Sequence, residues 1–378
     1  MKTLGILLPK SSTHPDIGYD FFFGLKGYFL CLGQNPNIHT ANIGFGIDED
    51  LLFSEAERMF LEKNVDLIVV FAEHPKVDKI FPLASQFKRP ILVVNPGAKY
   101  PVDWKAPEFV FFLSLEEMLS AKLAAKFALA ESRINQVINA TNFYDGGYGI
   151  GDAFYLGQEA KNGRVTYNFV GKHKVSDFDA QPLTDYLGSV SEPNLVFSIF
   201  TGPILPYFLE LIGQYFGPNI LVCSQVMIHE MLSKKLISPI TFSKILSCSS
   251  IDPINENKDL GILKNYLENE VKRQYSIFSS LGWDAGLVIM KLLDDPELTW
   301  SFRNQFNESI SLVGSRGEIF FHSESGHFLP QIYQIKILNG ELETFPMVIS
   351  EVIKEWEELI EKRSIPPQVG WFNTYLCS

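Results

Sequence analysis

Cysteine is scarce. The chain holds four, Cys31, Cys223, Cys248 and Cys377, and no two form a C-x-x-C pair. A zinc ribbon or dithiol redox motif has no basis in that spacing, and small buried hydrophobes are the plainer role. Basic charge is short too: 32 Lys and Arg stand against 44 Asp and Glu, a net charge of −12. A nucleic-acid binder normally carries a basic stripe, so this partner class is excluded. No apolar run approaches the roughly 20 residues of a membrane span. The first apolar run, residues 4–8, stops at Pro9 and is followed by no small-residue cleavage site, which is too short for a signal-peptide core. The expected compartment is the cytoplasm if Met1 is the native start, and the periplasm if a signal peptide was removed.

Catalytic signatures are missing as well. There is no Walker A sequence, no G-x-S-x-G elbow and no H-E-x-x-H, so the common nucleotide, acyl-transfer and zinc-protease motifs do not apply. In "GGYGIGDAF", Gly147 and Gly149 fit a G-x-G-x-x-G loop, but Asp152 stands at the third glycine. His322, Glu324 and His327 in "HSESGH" sit in a turn between strands, where a solvated hairpin is the plainer reading than a metal site. No cofactor and no metal are expected.

The composition that remains is globular: 46% hydrophobic and 20% charged over 378 residues. That length exceeds one ordinary core and implies two α/β lobes. Short apolar runs bounded by turns alternate with helical segments. The stretch "DLIVVFAEHPKVDKIFPLASQFKRPILVVNPGA" shows the pattern: residues 67–71 and 91–94 read as buried strands around a helix, and each strand ends in a polar turn. Alternating strands and helices form right-handed βαβ units on a parallel sheet. The series restarts near residue 116 with the helix "LEEMLSAKLAAKFALA" and continues through strands at 136–140, 165–170, 195–200 and 220–223. The end differs. "GEIFFHSESGHFLPQIYQIKILNGELE" reads as strands around the turns 323–326 and Asn339-Gly340.

Taken in order, these stretches resemble the type 1 periplasmic binding-protein fold, in its branched-chain amino-acid-binding branch. "LGILLPKSSTHPDIGYDFFFGLKGYF" is similar to that family's first strand, ligand loop and first helix. The stretch quoted above resembles its paired strands with ligand-contacting turns, and "VINATNFYDGGYGIGDAF" the start of its second lobe. "YSIFSSLGWDAGLVIMKLL" resembles the family's "GYDA" helix, here with Trp283, and "VGSRGEIFFHSESGHFLPQIYQIKILNGEL" its final hairpin. The resemblance implies two Rossmann-like lobes with parallel sheets, joined by three crossovers around a ligand cleft. The lobes are expected at 1–115 plus 250–322 and at 116–249 plus 323–378.

In open α/β sheets, ligands sit outside the carboxyl ends of the strands. The two strand-end turns are therefore expected to form half of a cleft wall. Their amide groups, and those of the helix N-termini that follow, suit an electron-rich group. Candidate ligand contacts are Ser12 and Tyr19 in the first loop, Ala72, Glu73 and His74 at the first turn, and Asn95 and Gly97 at the second. Ser11 and Asp16 share the first loop, where capping is the plainer role. The family's amino-acid binders often place a serine at the first turn and a Thr at the second. Neither turn here has a hydroxyl, so an aliphatic amino acid is a poor fit. In the second lobe, Tyr148 matches a ring-contacting tyrosine of the family, and Tyr144 stands four residues before it. Thr201, Ser224 and Gln225 fall at further cleft turns, Gln225 near the family's amine-binding acid. Ser250 and Asp252 fall at the second crossing, where hinge or cap roles compete with ligand contact.

The resemblance implies non-catalytic binding of a small polar solute with hinge closure, either as an ABC-transporter substrate-binding protein or as a ligand sensor. The ligand expected is an amide, an amino-acid-like molecule or an aromatic acid. The protein partner expected is a membrane transporter subunit or a regulator, and the chain a monomer or homodimer. Two readings stay open beside this one: a transferase acting on a nucleotide sugar, and a structural protein with a degenerate cleft.

Overall fold

A computed structural model describes residues 2–99, 101–142, 147–172, 174–213, 215, 219–237, 244–294 and 311–362. The chain opens with β1 (Thr3–Leu8), α1 (Ile17–Cys31), β2 (Asn37–Asn42), α2 (Glu49–Leu61) and β3 (Leu67–Phe71). A 3-10 turn (Lys76–Ile80) leads into α3 (Phe81–Phe87), then β4 (Ile91–Asn95) and β5 (Val110–Ser114). Strands β3, β4 and β5 are buried at every residue, as continuous apolar runs in a sheet covered on both faces must be. The β5 run, "VFFLS", carries the same signal but was not read as a strand from the sequence.

The second series comprises α4 (Glu117–Ser132), β6 (Gln136–Asn142), α5 (Gly147–Glu159), β7 (Arg164–Gly171), α6 (Gln181–Ser189), β8 (Leu195–Ser198) and α7 (Ile204–Gly213). It closes with β9 (Ile220–Cys223), α8 (Gln225–Ser233) and β10 (Lys244–Ser249). The chain then returns through α9 (Lys258–Tyr266) and α10 (Ile277–Asp294) to β11 (Ser311–Gly314), β12 (Gly317–His322) and β13 (His327–Pro330). It ends with β14 (Tyr333–Leu338), β15 (Glu341–Pro346) and α11 (Ile349–Lys362).

Two sheets result. The first runs β11-β12-β13-β5-β4-β3-β1-β2 and the second β15-β14-β10-β9-β8-β6-β7. Each is parallel at its centre, but β12 runs antiparallel to β11 and β13, and β14 antiparallel to β10 and β15. The sheets are thus mixed rather than parallel throughout, because tight hairpins complete one edge of each. Strand β13 pairs with β5, so the last crossing falls after Pro330. The expected boundary at residue 322 lies inside the β12–β13 hairpin, in the first sheet. Reading a hairpin from its turn finds the strands but not the sheet that takes them.

Glycine sets the tightest helix pairing. A Cβ on Gly24 of α1 would lie 1.9 Å from the Ser279 carbonyl, and one on Gly282 of α10 would lie 2.0 Å from the Phe21 carbonyl. The two helices touch backbone to backbone at reciprocal positions, and they cover the first sheet together. One apolar cluster runs from Leu4 and Val69 in the first lobe, through Leu115, Met118 and Leu119, to Phe197 and Val222 in the second. The lobes therefore share a core beside the first crossing.

Candidate functional site

In both sheets the first two strands lie in reversed order, β2-β1-β3 and β7-β6-β8. Such reversals open a crevice at the carboxyl ends of the strands, where ligands of doubly wound folds sit. A cleft of about 710 Å³ opens there between the lobes. One wall comes from the first lobe: the β1–α1 loop, the first turn of α1 and the N-terminus of α10, with Thr13, His14, Asp20, Ile277 and Phe278. The facing wall comes from the second lobe: Gly202 and Pro203 before α7, and Val226, His229 and Glu230 on α8. Ile251 and Asp252 of the second crossing close the end.

The walls meet at one latch. His14 Nδ1 lies 3.4 Å from Glu230 Oε1, and His14 Nε2 lies 3.4 Å from Thr201 Oγ1. Glu230 also accepts from the Gly202 amide at 3.0 Å and from Lys234 Nζ at 2.9 Å. Burial lowers the pKa of His14; Glu230 opposes that shift and Lys234 adds to it. Deeper in, His229 Nε2 sits 2.8 Å from Ser249 Oγ, and burial brings its pKa down to about 4, helped by Lys264. Both imidazoles are therefore neutral at pH 7. Tyr275 lines the same end, its hydroxyl 2.9 Å from Ser280 Oγ and its ring 5.2 Å from Lys264 Nζ.

The two strand-end turns do not line this cleft. They are stitched together: Asn95 Nδ2 donates to the Ala72 carbonyl at 3.2 Å, and the Gly97 amide donates to Asn95 Oδ1 at 2.9 Å. Helix α5 of the second lobe seats on them, since a Cβ at Gly149 would stand 2.2 Å from the Ala98 carbonyl. Glu73 is only 5% exposed, and among the described residues no hydrogen bond of ordinary geometry reaches either carboxyl oxygen. Burial pushes its pKa up to about 8, against the pull of Lys99 and the Ala98 amide. His74 points into the first lobe, with Nδ1 2.6 Å from Asp78 Oδ1 and its ring against Phe112. The turns therefore present no open wall of amides, because packing against α5 has covered them.

The remaining candidates are dispersed. Ser12 is exposed. Tyr19 is 61% exposed on α1 and carries the Arg273 guanidinium 5.8 Å over its ring. Ser224 caps α8, accepting from the Met227 amide. Gln225 belongs to the hinge: its amide nitrogen donates to the Leu115 carbonyl at 2.5 Å, and its carbonyl accepts from the Ser250 amide at 2.9 Å. Ser250 Oγ donates to the same oxygen at 2.8 Å, so one side chain ties the first crossing to the second. Thr201 is buried beside the latch. Tyr144 lies outside the described residues, as does the side chain of Tyr148 at the start of α5. The open cleft is lined instead by their neighbours Thr13, Asp20, Gly202 and Val226.

Sequence reasoning did not single out His14, His229, Glu230 or Tyr275. The first loop and the strand-end turn before α8 were the right segments. In those two segments the cleft side chains stand one to five residues beyond the residues chosen, a turn further along α8 or at the middle of the loop, whereas Tyr275 lies in a segment from which no candidate was taken.

No family profile and no curated protein sequence matches the chain. Solved structures do match in fold. A solute-binding protein of an ABC transporter from R. palustris, in complex with benzoate, superposes with a TM-score of 0.70 at 17% identity, covering 91% of this chain and 95% of that one. An ABC transporter substrate-binding protein from Sphaerobacter thermophilus gives 0.71 at 16% identity, covering 92% and 97%. A leucine-binding protein from Thermotoga maritima gives 0.63 at 14%, covering 91% and 98%. The chain shares their two-lobed α/β fold over nearly its whole length.

Proposed function

We propose that this protein binds a small organic molecule between its lobes and does not transform it, as a substrate-binding protein of an ABC transporter or as a ligand sensor. The observation that carries the reading is the 710 Å³ cleft walled by both lobes, a volume within the range of pockets that enclose drug-sized ligands. Its walls mix apolar surface from Ile17, Ile251, Ile277 and Phe278 with a few polar groups, the composition expected where shape supplies affinity and polar groups supply orientation. The folds matched are those of solute-binding proteins, two of them named for benzoate and leucine binding. Closure of the lobes on a ligand changes the outer surface, which is the signal a transporter subunit or a regulator reads. Among the described residues no helix is long and apolar enough to cross a membrane.

Native mass spectrometry of protein purified without denaturation is the direct test. A retained small molecule, released on unfolding, supports binding. A chain of bare mass that no metabolite extract stabilises in thermal shift counts against it. The second reading, a structural protein with a filled cleft, draws on the covered strand-end turns and on α5 seated at Ala98. It expects that second outcome.

A further inference from the structure

The charges around the cleft do not balance. Four carboxylates line it, Asp16, Asp20, Glu230 and Asp252, with two ammonium groups, Lys234 and Lys264. Each lysine is already matched: Lys234 to Glu230 at 2.9 Å, Lys264 to Glu256 at 3.4 Å. Asp16 and Asp20 share the single guanidinium of Arg273, at 2.7 and 3.2 Å. Asp252 is held by neutral donors, the Ile254 amide at 2.9 Å, the Asn255 amide at 3.2 Å, Asn255 Nδ2 at 2.8 Å and Thr344 Oγ1 at 3.0 Å. Among the described residues no cation pairs with Asp252. Two negative charges are thus left over, one on the first-lobe wall and one at the hinge. The two cleft imidazoles add no positive charge at neutral pH.

From this arrangement we propose that the cleft takes an apolar organic cation, a molecule with a hydrocarbon or aromatic body and a protonated amine, and that it discriminates against carboxylates. This rests on the cleft being the binding site and deepens that reading. A carboxylate entering here finds both lysines paired and must break an ion pair or face an acidic wall in a low-dielectric space. A protonated amine instead gains a charge-assisted hydrogen bond. Tyr275, Ile277 and Phe278 add apolar surface for the body of the same molecule.

The experiment is calorimetric titration with three probes of one shape, 1-naphthylmethylamine, 1-naphthamide and 1-naphthoate. The amine should bind roughly tenfold more tightly than the acid, the value of one charged hydrogen bond. Asp252→Asn and Asp20→Asn should each weaken the amine several-fold more than they weaken the amide, with circular dichroism and thermal unfolding showing that the variants fold. Acid binding equal to or tighter than amine binding overturns the charge selection while the cleft reading stands. Amine affinity unmoved by either Asn substitution overturns it in the same way. If none of the three probes binds, the preference for an apolar cation falls, and the native mass of the purified chain decides whether the cleft reading stands.

Discussion

Arg316 is 1% exposed and sits at the turn between β11 and β12, where it does the work of a bolt. Its Nε donates to Asp284 Oδ2 at 2.6 Å, and its Nη1 donates to the Ser114 carbonyl at 2.7 Å and lies 3.5 Å from Ser250 Oγ. Asp284 is fully buried, and its other oxygen accepts from the Ser315 amide and hydroxyl at 2.7 and 3.0 Å. Arg316→Met strands the carboxylate without its cation, a loss of about 3–5 kcal/mol for a broken buried pair. It also leaves the Ser114 carbonyl short of a donor, a cost of about 1–3 kcal/mol that overlaps the first. Against a stability of about 5–15 kcal/mol, the variant is expected to lose about a fifth or more. The pH dependence has a definite sign. Burial already raises the Asp284 pKa while Arg316 lowers it, so removing Arg316 raises it further. A carboxyl whose folded pKa is raised destabilises as pH climbs above its unfolded value. The Arg316→Met deficit should therefore be larger at pH 7 than at pH 5. The double variant Asp284→Leu/Arg316→Met removes the orphaned charge and should recover most of the loss. Urea unfolding followed by tryptophan fluorescence reads this, since Trp283 beside Asp284 is buried and donates to Asp259 at 3.1 Å. A single-variant cost below about 1 kcal/mol, or a double variant no better than the single, refutes the argument.

Other expectations concern the buried turn, the helix pair and ligand choice. Glu73 is raised to about 8 by burial, so the wild type should lose stability as pH rises from about 4.5 toward 8. Glu73→Gln should flatten that slope, and an unchanged slope in thermal unfolding would show that Glu73 does not titrate there. Gly24→Ala drives a methyl into the Ser279 backbone, for which about 1–3 kcal/mol is expected; a melting temperature equal to the wild type's would contradict the backbone contact. Leucine, isoleucine and valine should fail to bind with a micromolar Kd, because both cleft lysines are already paired with carboxylates and neither is left for theirs. Calorimetry with any one of them that returned a micromolar Kd would restore the amino-acid reading.

How much of this was readable beforehand differs between backbone and side chains. The restart near residue 116 and the runs of β3 and β4 follow from apolar periodicity, which reports burial directly. The hairpin turns at 323–326 and Asn339-Gly340 follow from turn chemistry. The sheet that accepts β13 was not readable, because a turn specifies its two strands and says nothing of the edge they join. Gln225 shows why the site itself was harder. A polar residue at a strand-end turn is compatible with a ligand and equally with a hinge, and the choice depends on Leu115 and Ser250, distant in sequence. Glu73 and His74 were read as facing a cleft because they follow β3. Whether that edge stays open depends on how α5 meets Ala98, a tertiary fact that no local pattern encodes. His14 and Glu230 face each other from separate lobes, so neither carries a signal alone.

The pairing of β13 with β5 also constrains the order in which the chain can be finished. Phe112 of β5 lines up with His327, which emerges from the ribosome only after strands β6 to β10 of the second sheet have been synthesised. Chains grow at about 5–20 residues per second, so that wait is long compared with the folding of a lobe. Meanwhile β5, "VFFLS", presents a bare apolar edge of backbone donors and acceptors, the kind that recruits other strands. A nascent chain halted before residue 311 would carry every strand from β1 to β10 and still lack this cover. Such truncations should be held by chaperones or aggregate, whereas release after Pro330 lets the first sheet close its own edge.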